Sequence, residues 1–438
     1  MSIKINFQQF QLENVLKFYL FAGLLSFALF ISGCSDNDNV VNTSQITQII
    51  NGKVTDYYGN GQGNITVESK VGITKTASDG SFSFSNIIPP YDISVYTNGM
   101  NVITYRNIST TKPQLPINNN VNIYPYESRV NVIVPPMNTN QKSFAQFFDN
   151  SGMFMSDVTI TSASAQMDVE WNGSQNISGK MALWVYNTDN FGNFLSYEKY
   201  GEKPISLSNG VSGRIVFYDI DLNTNPADSS ISGNVVLSQG SVIEYAYIGM
   251  NRFPFANMYE YGHSSKVVNI SGSNFSASVP ALNGGIYNYY LAIKVYEQSS
   301  HRAGYKIAQI YLNNSNIVGI NTFPTLFTPE DGAQNINYNS IFSFSKDSPA
   351  GIYEFRLEYT NNSNFLIFRS IFTDSESLNI TALSDTAFNI AENSDCSWNI
   401  VKYSGFSNLD DYLSIPPAKN PKFREWLTSD ERSFKFKK

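Results

Sequence analysis

The chain has 438 residues, a formal net charge of −7 at pH 7, and a composition that is 42% hydrophobic, 14% aromatic and only 15% charged. At about 100 to 150 residues per domain, this length predicts three or four domains with hydrophobic cores. An acidic chain without a basic stripe excludes nucleic acid as a partner.

The N-terminal segment predicts export and a lipid anchor. Lys4 and Lys17 precede an apolar run over residues 18–31, which leads into small residues and Cys34. A basic start, an apolar stretch and a small-residue site are the pattern of a secretory signal. The segment resembles the signal peptide of bacterial lipoproteins, which implies that residues 1–33 are removed and that Cys34 carries the lipid. An uncleaved N-terminal anchor is the alternative interpretation.

Residues 34–48 follow as a polar tether without hydrophobic periodicity. Their acidic start at 35–38 resembles the export signal of surface-exposed lipoproteins, although a solvated linker has the same composition. The resemblance implies a chain held by membrane lipid through Cys34 in the bacterial outer membrane and exposed on the cell surface. Once Cys34 is lipidated, Cys396 has no partner, so we expect no intramolecular disulfide in the mature chain.

Residues 49–124 read as a series of short strands. A GKVTD strand is followed by a glycine-rich turn, an Asp79-Gly80 turn, and a strand in which Phe82 and Phe84 alternate with serines. Such alternation indicates half-buried strands, and Asp-Gly favours a tight turn. The succession resembles the carboxypeptidase regulatory-like domain. That resemblance implies a transthyretin-like β-sandwich that acts as a non-catalytic accessory module.

Residues 129–315 also alternate as strands do, but they carry no family motif. A polar break at 223–230 divides them into segments 129–222 and 231–315, which predicts two β-sandwiches of unassigned family. One larger sandwich is the alternative. In the second segment, the alternation places on one strand face the side chains of Tyr290, Ala292, Lys294 and Tyr296.

The last segment, residues 323–438, opens on a PxLxxPxDGA motif and continues with FSFS, YxFxL, WxI and SxxRSF strands. This order resembles bacterial fibronectin type III domains, with Phe344 at the position of the usual core tryptophan. The predicted fold class is therefore all-β, with tandem Ig-like and transthyretin-like β-sandwiches after an N-terminal lipoprotein signal peptide.

The sequence offers little material for catalysis. His263 and His301 are the only histidines, which leaves almost nothing for a catalytic triad or a histidine-rich metal site. Asp168 and Glu170 share a strand face beside Trp171 and could serve a glycosidase, but acidic residues on an exposed sheet face are far more common. We therefore predict no catalytic residue, no cofactor and no enzymatic activity.

Two further motifs have simple structural interpretations. The spacing from Asn187 to Glu198 partly matches a calcium loop, but a hairpin turn explains it and no amphipathic helix flanks it. We predict no metal site there, although a looser oxygen site for calcium stays open. Cys396 alternates with Trp398 and Ile400, which predicts a buried structural thiol.

The predicted ligand-binding residues lie in the loop that follows the strand at 242–248. Aromatic side chains beside charged groups can stack on sugar rings or anchor a protein partner, unless they fold back onto the core. We expect a non-enzymatic envelope lipoprotein that binds a glycan or protein partner, in adhesion or ligand capture. A scaffold without a ligand and a glycan-active hydrolase are the alternatives. The binding residues are Arg252, Phe253, Phe255, Tyr259 and Tyr261.

Overall fold

The computed structural model places Thr47–Lys438 in one compact unit. It describes residues 47–57, 59–97, 101–117, 125–150, 155–171, 173–191, 194–224, 228–251, 266–267, 273–280, 288–300, 302–345, 351–417, 420, 422 and 425–437. Several sequence-predicted positions lie outside the described residues and stay predictions. They are Cys34, Arg252, Phe253, Phe255, Tyr259, Tyr261, His263 and His301.

The first sandwich has two sheets, in the orders β4-β1-β7 and β3-β2-β5-β6. Its strands are β1 (Gln48–Thr55), β2 (Thr66–Ser69), β3 (Gly72–Lys75), β4 (Ser81–Ile87), β5 (Tyr91–Thr97), β6 (Asn101–Ile108) and β7 (Gln114–Pro116). In β4, Phe82 and Phe84 are buried between exposed serines, as the alternation predicts. The predicted turn before β4 has Gly80 at φ +83°, a conformation that glycine adopts without strain.

The second sandwich has sheets in the orders β11-β8-β14 and β10-β9-β12-β13-β15. Its strands are β8 (Tyr126–Ile133), β9 (Gln141–Asp149), β10 (Met155–Ile160), β11 (Ser164–Trp171), β12 (Asn176–Thr188), β13 (Phe194–Ser208), β14 (Gly213–Val216) and the short edge strand β15 (Asn223–Thr224).

The third sandwich has sheets in the orders β19-β16-β22 and β18-β17-β20-β21. Its strands are β16 (Asp228–Val236), β17 (Ser241–Asn251), β18 (Lys266–Val267), β19 (Asn274–Pro280), β20 (Asn288–Glu297), β21 (Ala303–Ile310) and β22 (Ser315–Gly319).

These three sandwiches share one topology. In each, the smaller sheet holds the fourth, first and seventh strands in that order, and the larger sheet holds the third, second, fifth and sixth. The seventh strand runs parallel to the first in every case. The two middle sandwiches, for which the sequence gives no family motif, therefore repeat the strand order of the first.

The last sandwich differs in strand order. Its strands are β23 (Leu326–Thr328), β24 (Ala333–Ile336), β25 (Ile341–Phe344), β26 (Gly351–Thr360), β27 (Leu366–Thr373), β28 (Ser377–Asn379), β29 (Asp395–Ser404), β30 (Glu425–Thr428) and β31 (Arg432–Phe436). One sheet has the order β23-β25-β28, while β24 crosses to pair in parallel with β31 of the other sheet. Phe344, at the expected tryptophan position, is 1% exposed in this core.

Helical structure is scarce in the part of the chain that the structure describes. It consists of a helix, α1 (Leu409–Tyr412), and 3-10 turns at Asp219–Asp221 and Thr386–Phe388. Among these residues, no helix is long and apolar enough to cross a lipid bilayer. The predicted fold class of tandem β-sandwiches is confirmed.

The larger sheets of the first, third and last sandwiches join into one continuous ladder. Its order is β18-β17-β20-β21-β30-β29-β26-β27-β6-β5-β2-β3. Strand β30 pairs with both β21 and β29, and β27 pairs in parallel with β6. Main-chain hydrogen bonds therefore cross from one sandwich to the next at both junctions.

The second sandwich docks on the third through side chains. Met181, Leu183 and Val185 of β12 fill the second sandwich's own core. Trp184 points to the opposite face and, with Phe144 of β9, belongs to the hydrophobic core of the third sandwich. Strand β12 is therefore buried on both faces.

Candidate ligand-binding face

A group of tyrosines covers the outer face of the third sandwich's larger sheet, and we call it the tyrosine face. Strand alternation produces it, because Ala246 and Ile248 of β17 and Leu291 and Ile293 of β20 are buried in the core on the other side. The members are Tyr245 and Tyr247 on β17, Tyr290 and Tyr296 on β20, and Tyr305 on β21.

Strand register brings these side chains together. Tyr245 lies opposite Lys294, and Lys294 lies opposite Tyr305. Tyr305 in turn lies opposite Trp426 of β30, with 4.8 Å between the ring centroids. One row of side chains therefore crosses four strands, β17, β20, β21 and β30, and continues from the third sandwich onto the last.

The rings contact one another as well as lying in register. The rings of Tyr245 and Tyr247 are stacked, with centroids 6.3 Å apart and planes 21° apart. The hydroxyls of Tyr247 and Tyr305 share a hydrogen bond. These contacts hold the rings in fixed orientations, so the tyrosine face is a preformed surface.

An ion pair lies beside the rings. Lys294 Nζ is 2.9 Å from Glu244 Oε2 and 5.7 Å from the centroid of the Tyr245 ring. The hydrogen bond to Glu244 raises the pKa of Lys294, so the ammonium stays charged. Because the opposite charges of Lys294 and Glu244 cancel, the tyrosine face offers a hydrogen-bond donor and an acceptor without net charge.

Exposure divides the tyrosine face into a packed part and an accessible part. Tyr305 is 5% exposed and packs against Trp426, whereas Tyr245 is 41% and Tyr296 is 38% exposed. The two accessible rings lie on adjacent strands, Tyr245 opposite Lys294 and Tyr296 two residues from Lys294 on the same face of β20. This part of the surface can stack on a flat molecule and hydrogen-bond its edge.

The sequence signal for this face is partial. The alternation in β20 predicts that Tyr290, Lys294 and Tyr296 share a face, and the structure places them together. It does not predict the contribution of Tyr245, because an irregularity between Ile243 and Tyr245 shifts the register of β17. A single extra residue moves every later side chain to the other face.

Asp168, one of the two candidate carboxylates, is held in an exposed ion pair. Asp168 accepts hydrogen bonds from Arg129 Nε at 2.7 Å and Arg129 Nη2 at 3.2 Å on an exposed surface. These bonds lower the pKa of Asp168, whereas a general acid needs a raised pKa. Glu170 lies opposite Glu127, and Trp171 is buried. Both carboxylates lie on β11, which is the edge strand of its sheet.

The calcium-like spacing falls on the β12–β13 hairpin. Gln141 belongs to the neighbouring strand β9. Its side-chain amide donates to Glu198 and lies 3.5 Å from Asn187 Oδ1, so it contacts the side chains at the first and last positions of the motif. At the tip, Phe191 is 91% exposed. In the ranges the structure describes, no three or more His, Cys, Asp or Glu residues are grouped as a metal site.

Cys396 lies in the core of the last sandwich. It shares that core with Trp398 and Ile400, and it is 3% exposed. Burial raises the pKa of the Cys396 thiol to about 12, so almost no thiolate exists near neutral pH. The side chain therefore acts as a small apolar residue in this core.

A polar network on the outer face of the last sandwich carries no sequence signature. Glu354, 6% exposed, accepts hydrogen bonds from Ser370 at 2.6 Å, Tyr403 at 2.7 Å and Arg356 at 2.8 Å. Burial raises the pKa of Tyr403 far above its ordinary value. The network joins β26, β27 and β29, and β27 is the strand that pairs with β6 of the first sandwich.

Comparisons with known proteins give no family. No protein-family model matches the chain, and no curated protein matches it by sequence. It is similar to the Bacillus anthracis TIE protein, with a TM-score of 0.16 and 9% identity over 62% of this chain. The chain spans about half, 49%, of the length of that protein.

Two other solved structures are similar at the same level. A tetra-tandem repeat from the extending region of a large adhesion protein has a TM-score of 0.15 and 9% identity over 89% of this chain and 99% of its own. The chicken CNTN1 FN1-FN3 domains have a TM-score of 0.15 and 9% identity over 68% of this chain and 89% of theirs. Similarity at these TM-scores carries no functional conclusion. The strand order described above defines the class: a tandem β-sandwich protein.

Proposed function

We propose that this protein is a non-enzymatic, lipid-anchored protein of the bacterial cell envelope that binds a neutral glycan on the tyrosine face. The observation that carries the proposal is the pair of accessible rings, Tyr245 and Tyr296, on the same sheet face as the Lys294–Glu244 ion pair. In this proposal the first sandwich is a carboxypeptidase regulatory-like module, and the last is a fibronectin type III-like module.

The shape of the surface supports a glycan over a protein partner. Protein interfaces concentrate their binding energy in anchors that fill pockets, whereas these rings lie side by side on the outer face of a sheet. A sugar ring presents an apolar C–H face for stacking and a rim of hydroxyls for hydrogen bonds. Lys294 and Glu244 supply a donor and an acceptor for that rim. Their zero net charge favours a neutral ligand over an acidic one.

Removing the accessible rings is expected to weaken glycan binding. Tyr245→Ala and Tyr296→Ala should each weaken the affinity about tenfold, because a stacked ring contributes on the order of 1 kcal/mol and its buried apolar area adds to this. A glycan array identifies the neutral oligosaccharide, and titration calorimetry measures its affinity for each variant. Tyr311→Ala is the matched control, because Tyr311 is 54% exposed and lies just after β21, outside the tyrosine face.

Two outcomes would contradict the glycan proposal. One is an array on which no neutral glycan binds, and the other is an unchanged affinity in the Tyr245→Ala/Tyr296→Ala double variant. If an envelope protein is captured instead, and the double variant loses it, then the tyrosine face is a protein-binding surface.

The lipid anchor requires its own test. In cells that express the full chain, a fatty-acid probe should label the wild type, and Cys34→Ser should remove the label and release the protein from the membrane fraction. Cys396→Ser is the control that keeps the label. A wild-type chain that stays unlabelled in the cytosol would contradict the proposal.

A scaffold without its own ligand is the second candidate function. The continuous ladder through the first, third and last sandwiches favours it, because such a ladder fixes the relative positions of these units. A scaffold predicts that cells carrying the Tyr245→Ala/Tyr296→Ala variant keep the envelope phenotype of the wild type. Glycan capture predicts that they lose it.

A further inference from the structure

The last sandwich carries an insertion between β29 and β30 that packs on the first sandwich. It includes α1 and the described residues 405–417, and we call it the docking segment. We infer that the docking segment completes the hydrophobic core of the first sandwich, so that residues 47–117 hold their fold only while the C-terminal part of the chain is bound to them.

The side chains of the docking segment are core residues of the first sandwich. Phe406 and Leu409 are each 1% exposed, Tyr412 is 5% and Leu413 is 0%. All of them belong to one hydrophobic cluster with the first sandwich's own core. Members from the first sandwich include Ile50, Val54, Ile93, Ile103, Tyr105 and Leu115.

An aromatic stack links the units. The ring of Tyr105 in β6 stacks on Phe372 of β27, with centroids 5.2 Å apart. Phe372 stacks on Tyr412 at 5.4 Å, and Tyr412 meets Phe406 edge-on at 5.2 Å. Because Phe372 lies between Tyr105 and Tyr412, loss of the docking segment would uncover one side of the Phe372 ring.

The docking segment also satisfies main-chain groups of the first sandwich. Asp410 Oδ1 accepts hydrogen bonds from the backbone N–H of Ser109 at 3.0 Å and of Thr110 at 3.1 Å. The backbone N–H of Gln114 donates to the carbonyl of Leu413 at 3.0 Å. These donors lie on the connection from β6 to β7 and on β7 itself, so the docking segment holds the last strand of the first sandwich in place.

The topology makes this dependence long-range. Ser109 and Asp410 are 301 residues apart in sequence, and the second and third sandwiches lie between them in the chain. The first sandwich therefore closes its core only after the last sandwich has been made and has reached it.

Cleavage of the full chain tests this inference. A protease site is inserted at residues 118–124, and the folded protein is cut there. Size-exclusion chromatography then shows whether the N-terminal fragment stays bound, and limited proteolysis shows whether it stays folded. In the otherwise unchanged chain, we expect the fragment to co-elute with the remainder and to resist digestion. Leu409→Asp should release it and make it protease-sensitive, because a carboxylate replaces a core side chain.

A matched substitution and a milder one complete the design. Ile415→Asp changes the same segment at a position that is 41% exposed, and it should keep the fragment bound. Asp410→Ala removes the acceptor for two backbone donors without adding a charge, and it should speed release of the fragment roughly tenfold or more.

Three outcomes would overturn the inference. A cut fragment that leaves the otherwise unchanged chain and still resists protease would show that the first sandwich is autonomous. Retention in Leu409→Asp equal to that in Ile415→Asp would show that the contact carries no stability. If Leu409→Asp fails to fold as a full chain, an unchanged release rate in Asp410→Ala would overturn it.

Discussion

Replacing Trp184 by alanine is expected to lower the free energy of unfolding by about 3–5 kcal/mol. The indole is 2% exposed, and its centroid lies 4.0 Å from the ring of Tyr200 and 5.5 Å from that of Tyr197. Truncation leaves a cavity between the second and third sandwiches, because strands β9, β12 and β13 cannot collapse into it without losing their pairing.

Denaturant unfolding followed by circular dichroism measures this loss, with the lost stability read from the midpoint of the transition. Phe191→Ala is the control on the same hairpin, because that ring is 91% exposed and its removal should change stability by no more than about 0.5 kcal/mol. A loss of less than about 1 kcal/mol in Trp184→Ala would contradict the docking of these sandwiches.

Replacing Glu354 by alanine is expected to cost about 2–4 kcal/mol. The buried hydroxyl of Tyr403 and the hydroxyl of Ser370 both lose their acceptor, and Arg356 loses its counter-ion. Arg356 contributes less of this loss, because its side chain is 49% exposed and water can replace the carboxylate.

Thermal and denaturant unfolding of the full chain give the magnitude. Glu358→Ala is the matched control, because Glu358 is an exposed glutamate on the same strand, and its loss should stay within about 0.5 kcal/mol. Glu354→Gln should fall between the two, since the amide oxygen still accepts one of the hydrogen bonds. Equal stability of Glu354→Ala and Glu358→Ala would show that the network contributes nothing.

Both large effects occur on strand faces that the sequence pattern alone leaves undetermined. Alternation shows which residues of β12 and β26 share a face, and in the structure Leu183 and Phe355 lie in the cores of their own sandwiches. It does not show that a second sandwich covers the opposite face of β12 and buries Trp184, or that Ser370 and Tyr403 surround Glu354 on β26, because the contacting residues lie on other strands. The local pattern predicts strands, whereas docking between sandwiches is a tertiary property.

The same reasoning applies to the candidate site. The alternation around Lys294 predicts that Tyr290, Lys294 and Tyr296 share a face, since all three lie within one strand. The row that continues through Tyr305 to Trp426 depends on pairing between β21 and β30, which joins segments more than 100 residues apart. No local periodicity encodes that pairing.

The ladder that runs from β17 to β6 has a mechanical consequence. A ligand held on the tyrosine face pulls on β17 and β20, and the chain near β1 leads back toward the N-terminus. Tension between β17 and β6 is distributed over the main-chain hydrogen bonds of the strands between them, β20, β21, β30, β29, β26 and β27. The chain connections between sandwiches are thereby bypassed, and resistance to stretching comes from the strand pairs at the two junctions.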